Sequence, residues 1–139
     1  MSKYKDAFLA ELEKRSIQYT DLDDVAVRID VTGRNLKVIP VVVIFDRPMD
    51  KGPGNMVQIN VRGIVSVQPA KRSAALDVCN ALNRKLRVVK FVLHDRNDIC
   101  CQCDEILDPE TAGAAAFSAM ARVIRAVDAN YSMIAALKN

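Results

Sequence analysis

The chain has no tryptophan, a single histidine, four phenylalanines and three tyrosines among 139 residues. So thin an aromatic set builds no stacking platform for single-stranded nucleic acid. Charge of one sign is also scarce: 20 basic residues stand against 17 acidic ones, a formal +3 spread over the whole length, which is no electrostatic footprint for nucleic acid. The run "NRKLRVVK", with Arg122 and Arg125 on the closing helix, is read as a solvated face. Long hydrophobic runs are missing from the start, where Met-Ser-Lys-Tyr-Lys-Asp is followed by Glu11 and Glu13. Neither a secretory leader nor a membrane span is expected, and the protein is placed in the cytoplasm. Five glycines and five prolines make no linker, repeat or low-complexity tract. No paired carboxylates, nucleophile beside a base, or cofactor loop stands out, which points away from an enzyme and a cofactor. "KGPG" (Lys51 to Gly54) lacks the spacing and following helix that cradle phosphate, and His94 sits beside Asp95 in a polar turn.

What is present suits one domain over residues 1–139, for 50% hydrophobic and 27% charged residues are enough to bury a single core. Tyr4, Phe8 and Leu12 recur at helical spacing from Lys3 to Arg15, with Ser2 as N-cap. From Val25 the period becomes two, the mark of a half-buried strand. "LKVIPVVVIF" (Leu36 to Phe45) reads as a second strand, in which Pro40 implies an edge or a bulge. After a loop over Asp46 to Asn55, Met56 to Val67 alternates again and should bend at Gly63. A helix follows from Ala70 to Arg84, then a hairpin of "RVVKFVL" and the segment from Asp98 to Glu105 around the turn "HDRN". The expectation is an α+β domain, α-β-β-β-α-β-β-α, with a mainly antiparallel five-stranded sheet.

Three of the four cysteines crowd into "DICCQCDE". In a reducing compartment they are not a disulfide framework. On a strand, Ile99, Cys101 and Cys103 share one face, while Cys100 and Gln102 share the other. Zinc needs four ligands on a chain that curls around the ion, and a strand does not curl. Cys101 and Cys103 are therefore read as structural packing, with no metal. A small metal- or thiol-dependent sensor built on Cys100 to Cys103 is the alternative.

Asp108 as N-cap and Pro109 at the first position open a closing helix. About 28 residues would run roughly 42 Å, against roughly 24 Å for five strands. Its stripe of Phe117, Met120, Ile124, Val127, Tyr131 and Ile134 should outrun the sheet, leaving Tyr131, Ile134 and Leu137 as a contact for a protein partner or a second copy.

The stretches "ALDVCNALNRKLRVVKFVLHDRNDICCQCDEI" and "DPETAGAAAFSAMARVIRAVDANY" resemble the YbjN-like family of bacterial sensory transduction regulators. The domain of that family is similar to class I type III secretion chaperones. The resemblance implies this fold, no enzymatic activity, and binding to other proteins. Asn80 and Asn83 in "NALN", one helical turn apart, are expected to satisfy backbone groups nearby.

Overall fold

The computed structural model describes residues 2–47 and 54–138. The expected loop over Asp46 to Asn55, with most of "KGPG", lies in part outside the described residues. In chain order the elements are α1 (Lys3–Lys14), β1 (Thr20–Asp21), β2 (Ala26–Val31), β3 (Ile39–Phe45) and β4 (Met56–Ser66). A 3-10 turn (Pro69–Lys71) then leads into α2 (Arg72–Lys85), β5 (Lys90–Leu93), β6 (Asp98–Ile106) and α3 (Ala112–Ala135). The six strands form one sheet in the order β1-β2-β3-β4-β6-β5, every neighbouring pair antiparallel. The strand beyond the expected five is β1, whose two residues are too few to show an alternation.

The local causes are legible. Ser2 Oγ accepts the Lys5 amide at 3.2 Å and starts α1. Alternation sends Val27, Ile29, Ile39, Val41, Val43, Phe45, Val57, Ile59, Val61, Phe91, Ile99, Cys101 and Cys103 to one face, where they share a core with Phe8, Leu12, Cys79, Leu82, Val123 and Val127 from the three helices. Ala26, Val42, Ile44 and Cys100 point the other way and do not join that core. Within the core, Phe8 and Phe45 stack at 5.7 Å with rings tilted by 50°; burying each contributes about 1.5–3 kcal/mol. Gly113 lets α3 rest on α1, because a Cβ there would lie 2.6 Å from the Ala7 carbonyl oxygen.

The bend expected at Gly63 is a bulge: the β4–β6 register shifts between Val61 and Val65, and Gly63 adopts φ +59°. The same bulge accounts for Pro40. Its strand is flanked by β2 and β4, yet the pairing to β4 stops at Val42↔Asn60, so the missing N–H faces a locally absent neighbour.

The closing helix differs from expectation at both ends. Asp108 Oδ1 accepts the Glu110 amide at 2.9 Å in a turn instead of capping the helix, which begins after Thr111. At the other end nothing projects: Ile134 and Leu137 are buried in the chain's own core, and Tyr131 is half-buried against it. Lys71 Nζ donates to the Ala136 carbonyl at 3.1 Å, Gln68 Nε2 to that of Lys138 at 3.2 Å, and Val67 bridges Lys138. The length comparison counted strands alone, whereas α1 supports one end of α3 and the segment entering α2 receives the other. The contact surface expected at Tyr131, Ile134 and Leu137 is therefore not free.

Candidate functional site

The apolar stripe of α3 is wider than the core needs, and the surplus lies along its flank. Ala112, Ala116, Ala119, Val123 and Val127 are buried against the sheet, while Phe117 and Ile124 remain half-buried. With Met120 and Ala121 they form one wall of a groove of about 400 Å³. Ile29 and Val31 of β2 form the other wall, and Ile17, after α1, closes one side. A smaller polar hollow of about 190 Å³, lined by Tyr19, Thr20 and Arg28, continues it and shares Gln18 and Asp30. At the rim the Arg15 guanidinium lies 3.9 Å above the Phe117 ring and the Tyr19 hydroxyl donates to Glu13 at 2.9 Å.

This groove runs beside an open sheet edge. β1 pairs with β2 at Thr20↔Arg28 and Asp21↔Val27, so among the described residues β2 continues to Val31 without a neighbouring strand on that side. Lys5 holds the short β1 in place: buried at 4% exposure, its ammonium donates to Asp21 Oδ1 at 2.5 Å and to the Asp23 carbonyl. The opposite edge is capped at one position. There Asn83 Oδ1 accepts the Phe91 amide at 2.7 Å while Asn83 Nδ2 donates to the Phe91 carbonyl at 3.0 Å, taking the place of a further strand. Asn83 thus holds the hairpin backbone. Asn80 is exposed on α2 and has no side-chain partner among the described residues.

Ile99, Cys101 and Cys103 share the inner face, and all four cysteines are reduced and buried. Burial pushes the Cys101 thiol up to about 12, helped by the neighbouring Cys103 and Cys100, and burial likewise raises the other three. A thiol so held is a poor nucleophile and a poor ligand until it loses its proton. Among the described residues no three His, Cys, Asp or Glu side chains converge where a metal could sit. Cys100, on the outer face, is buried where the β4 bulge stands over it, and its thiol donates to Asp98 Oδ2 at 3.5 Å. It floors a second cleft, of about 520 Å³, with Arg62, His94, Asp95, Arg96 and Asp98 on its sides. His94 lines that open cleft. Among the described residues no helix is long and apolar enough to cross a membrane.

Sequence reasoning missed the groove. Its signal was present in Phe117 and Ile124, which lie off the Ala112-Ala116-Ala119-Val123 line, but Ile17 and Val31 come from distant segments and only the fold brings them together.

Three helices on one face of a six-stranded antiparallel sheet, with a groove at one edge, make an α+β domain. The chain belongs to the YbjN family, described as "Putative bacterial sensory transduction regulator", whose model matches residues 12–134. Among solved structures, YbjN from E. coli is similar at a TM-score of 0.60 with 10% identity, covering 93% of this chain and 92% of that one. A chain of the heterodimeric ExoU–SpcU complex from the type III secretion system of Pseudomonas aeruginosa is similar at 0.56 with 11% identity, covering 94% and 96%. At such identities the likeness is one of fold. No curated protein matches the sequence.

Proposed function

We propose that this protein is a non-enzymatic protein-binding module, regulatory or chaperone-like, whose groove between α3 and β2 receives an extended apolar segment of its partner. The observation that carries this is the contrast between the two sheet edges. Asn83 caps β5 at Phe91, whereas β2 beyond Arg28 is left open beside Ile17, Val31, Phe117 and Ile124. An extended segment laid along β2 would bond its backbone to the open edge and set alternate side chains into the groove, so that main chain supplies affinity and pocket shape supplies selectivity. The polar hollow at Thr20 and Arg28 suits a segment whose apolar residues are followed by polar ones. The ExoU–SpcU complex, which joins a chain of this fold to a different protein, supports a protein partner.

The test is a library of extended apolar peptides read by fluorescence polarisation against the intact protein and Ala121→Arg, which fills the groove from a half-exposed position. Binding should be lost in the variant at unchanged melting temperature, and backbone N-methylation of a bound peptide should weaken it. Peptides that bind the variant as well as the original would refute the groove.

A further inference from the structure

The outer face of the sheet carries no part of the core cluster, and large exposed side chains gather on it. Along β3, Pro40, Val42 and Ile44 face outward, with Val38 just ahead of them. Ala26 lies opposite Ile44, and the cross-strand pair Met56↔Ile106 extends the strip at one end. Ile106 is 71% exposed, Val38 53% and Met56 37%. Apolar side chains gathered on a sheet face that no described helix covers mark an interface.

What would cover it follows from its polar border. Outward charges at the strand positions balance: Arg28, Arg62 and Lys90 stand against Asp30, Asp98 and Asp104, and Arg28 bonds Asp30 at 2.9 Å. A neutral face gives nothing to nucleic acid or to an anionic membrane, and it sets up no repulsion between two identical copies. Between strip and charges lie three amides, Gln58, Asn60 and Gln102, the last two directly paired across β4 and β6. Asn60 is only 4% exposed, its Oδ1 has no partner, and its Nδ2 reaches only Gln58 Oε1 at 3.4 Å. Such an acceptor calls for a donor. A carboxamide carries both donor and acceptor, so two copies related by a two-fold axis near Asn60 satisfy each other reciprocally once the Gln58 side chain, whose Nε2 donates to Asp104 Oδ1 at 3.1 Å, swings aside.

We propose that the chain forms a two-fold dimer through this outer face, the β3 strip of one copy lying on that of the other, with Asn60 near the axis. Two sheets packed in this way stand about 10 Å apart and bury their facing side chains as one layer. The dimer leaves the apolar part of the groove open, since Phe117, Met120, Ala121 and Ile124 of α3 line it on the other side of the sheet. It stands or falls independently of peptide binding.

Sedimentation velocity on the intact protein across the micromolar range tests this. A species of twice 15.4 kDa should form. Val42→Asp, on the strand position paired with Asn60, should raise its dissociation constant about 100-fold, the loss expected when a charge enters the dry centre of an interface, and Ile106→Asp, at the end of the strip, about 10-fold. Because Ile106 is 71% exposed, its variant keeps the fold whether or not Val42→Asp does, and circular dichroism checks both. Asn60→Cys should give a disulfide-linked dimer under mild oxidation, which a contact elsewhere would not. Ala121→Arg, in the groove, should leave the dimer intact. A protein that stays monomeric at high micromolar concentration overturns the proposal. So does a dimer that is indifferent to Ile106→Asp or abolished by Ala121→Arg.

Discussion

Asn83→Ala removes the side chain that caps the β5 edge at Phe91, and its cost can be worked from the structure. Two hydrogen bonds are lost, at 2.7 Å and 3.0 Å, and both involve the backbone of Phe91, a residue 1% exposed. Each bond contributes about 0.5–1.5 kcal/mol net, and a buried group left unpaired costs about 1–3 kcal/mol. Partial hydration of the freed edge keeps the total near 2–3 kcal/mol. At about 2.1 cal/mol/K of unfolding entropy per residue, a chain of this size should lose roughly 7–10 °C of melting temperature. Asn80→Ala is the internal control. Its side chain is exposed and unpartnered, and alanine is the better helix former by a few tenths of a kcal/mol, so that variant should be neutral or slightly stabilised. Urea unfolding measures both, and amide hydrogen exchange at Phe91 should quicken in Asn83→Ala alone. If Asn83→Ala changes stability by less than about 0.5 kcal/mol, the pair of bonds is not what holds the hairpin to α2.

Two further outcomes concern pH. Cys101 stays protonated in the folded chain up to about 12, whereas the unfolded thiol ionises near 9, so deprotonation favours the unfolded state. Stability should fall as pH rises through that interval, and Cys101→Ala should show a shallower fall in urea melts; equal slopes would refute the assignment. On the acid side, Asp128 accepts the amides of Asn35 at 2.8 Å, Arg34 at 3.0 Å and Leu36 at 3.1 Å, and these bonds, that from Leu36 foremost, hold its carboxyl below the usual 3.8. Its stabilisation is complete above the unfolded value and disappears as pH falls through the folded one. Asp128→Asn should be less stable than the parent at neutral pH and should converge on it in strong acid. A gap that does not change with pH would show that the amides bind either form equally.

The groove and the capped edge mark the boundary between pattern and shape. Local chemistry specified α1 down to its Ser2 cap, the bend at Gly63, and the split of "DICCQCDE" into an inner Cys101–Cys103 face and an outer Cys100, because capping, bulging and two-residue alternation act within a few residues. The family resemblance likewise lay in contiguous stretches. Asn83 was visible as structural, but its equality with Asn80 was an artefact of helical spacing: a turn apart on α2, only one of them meets β5.

The fate of α3 could not be read in the same way. An apolar stripe records that something covers it and does not record what, so Ile134 and Leu137 looked like a surface until Val67, Gln68 and Lys71 folded over them. The two-residue β1 carries no period to detect, yet it decides where the β2 edge begins to be open. Periodicity is a property of neighbours in the chain, and it determined which faces of this protein are apolar. Which of those faces find a partner within the molecule depends on contacts between segments a hundred residues apart, such as Ile17 with Phe117 across the groove, and that the tertiary structure alone decided.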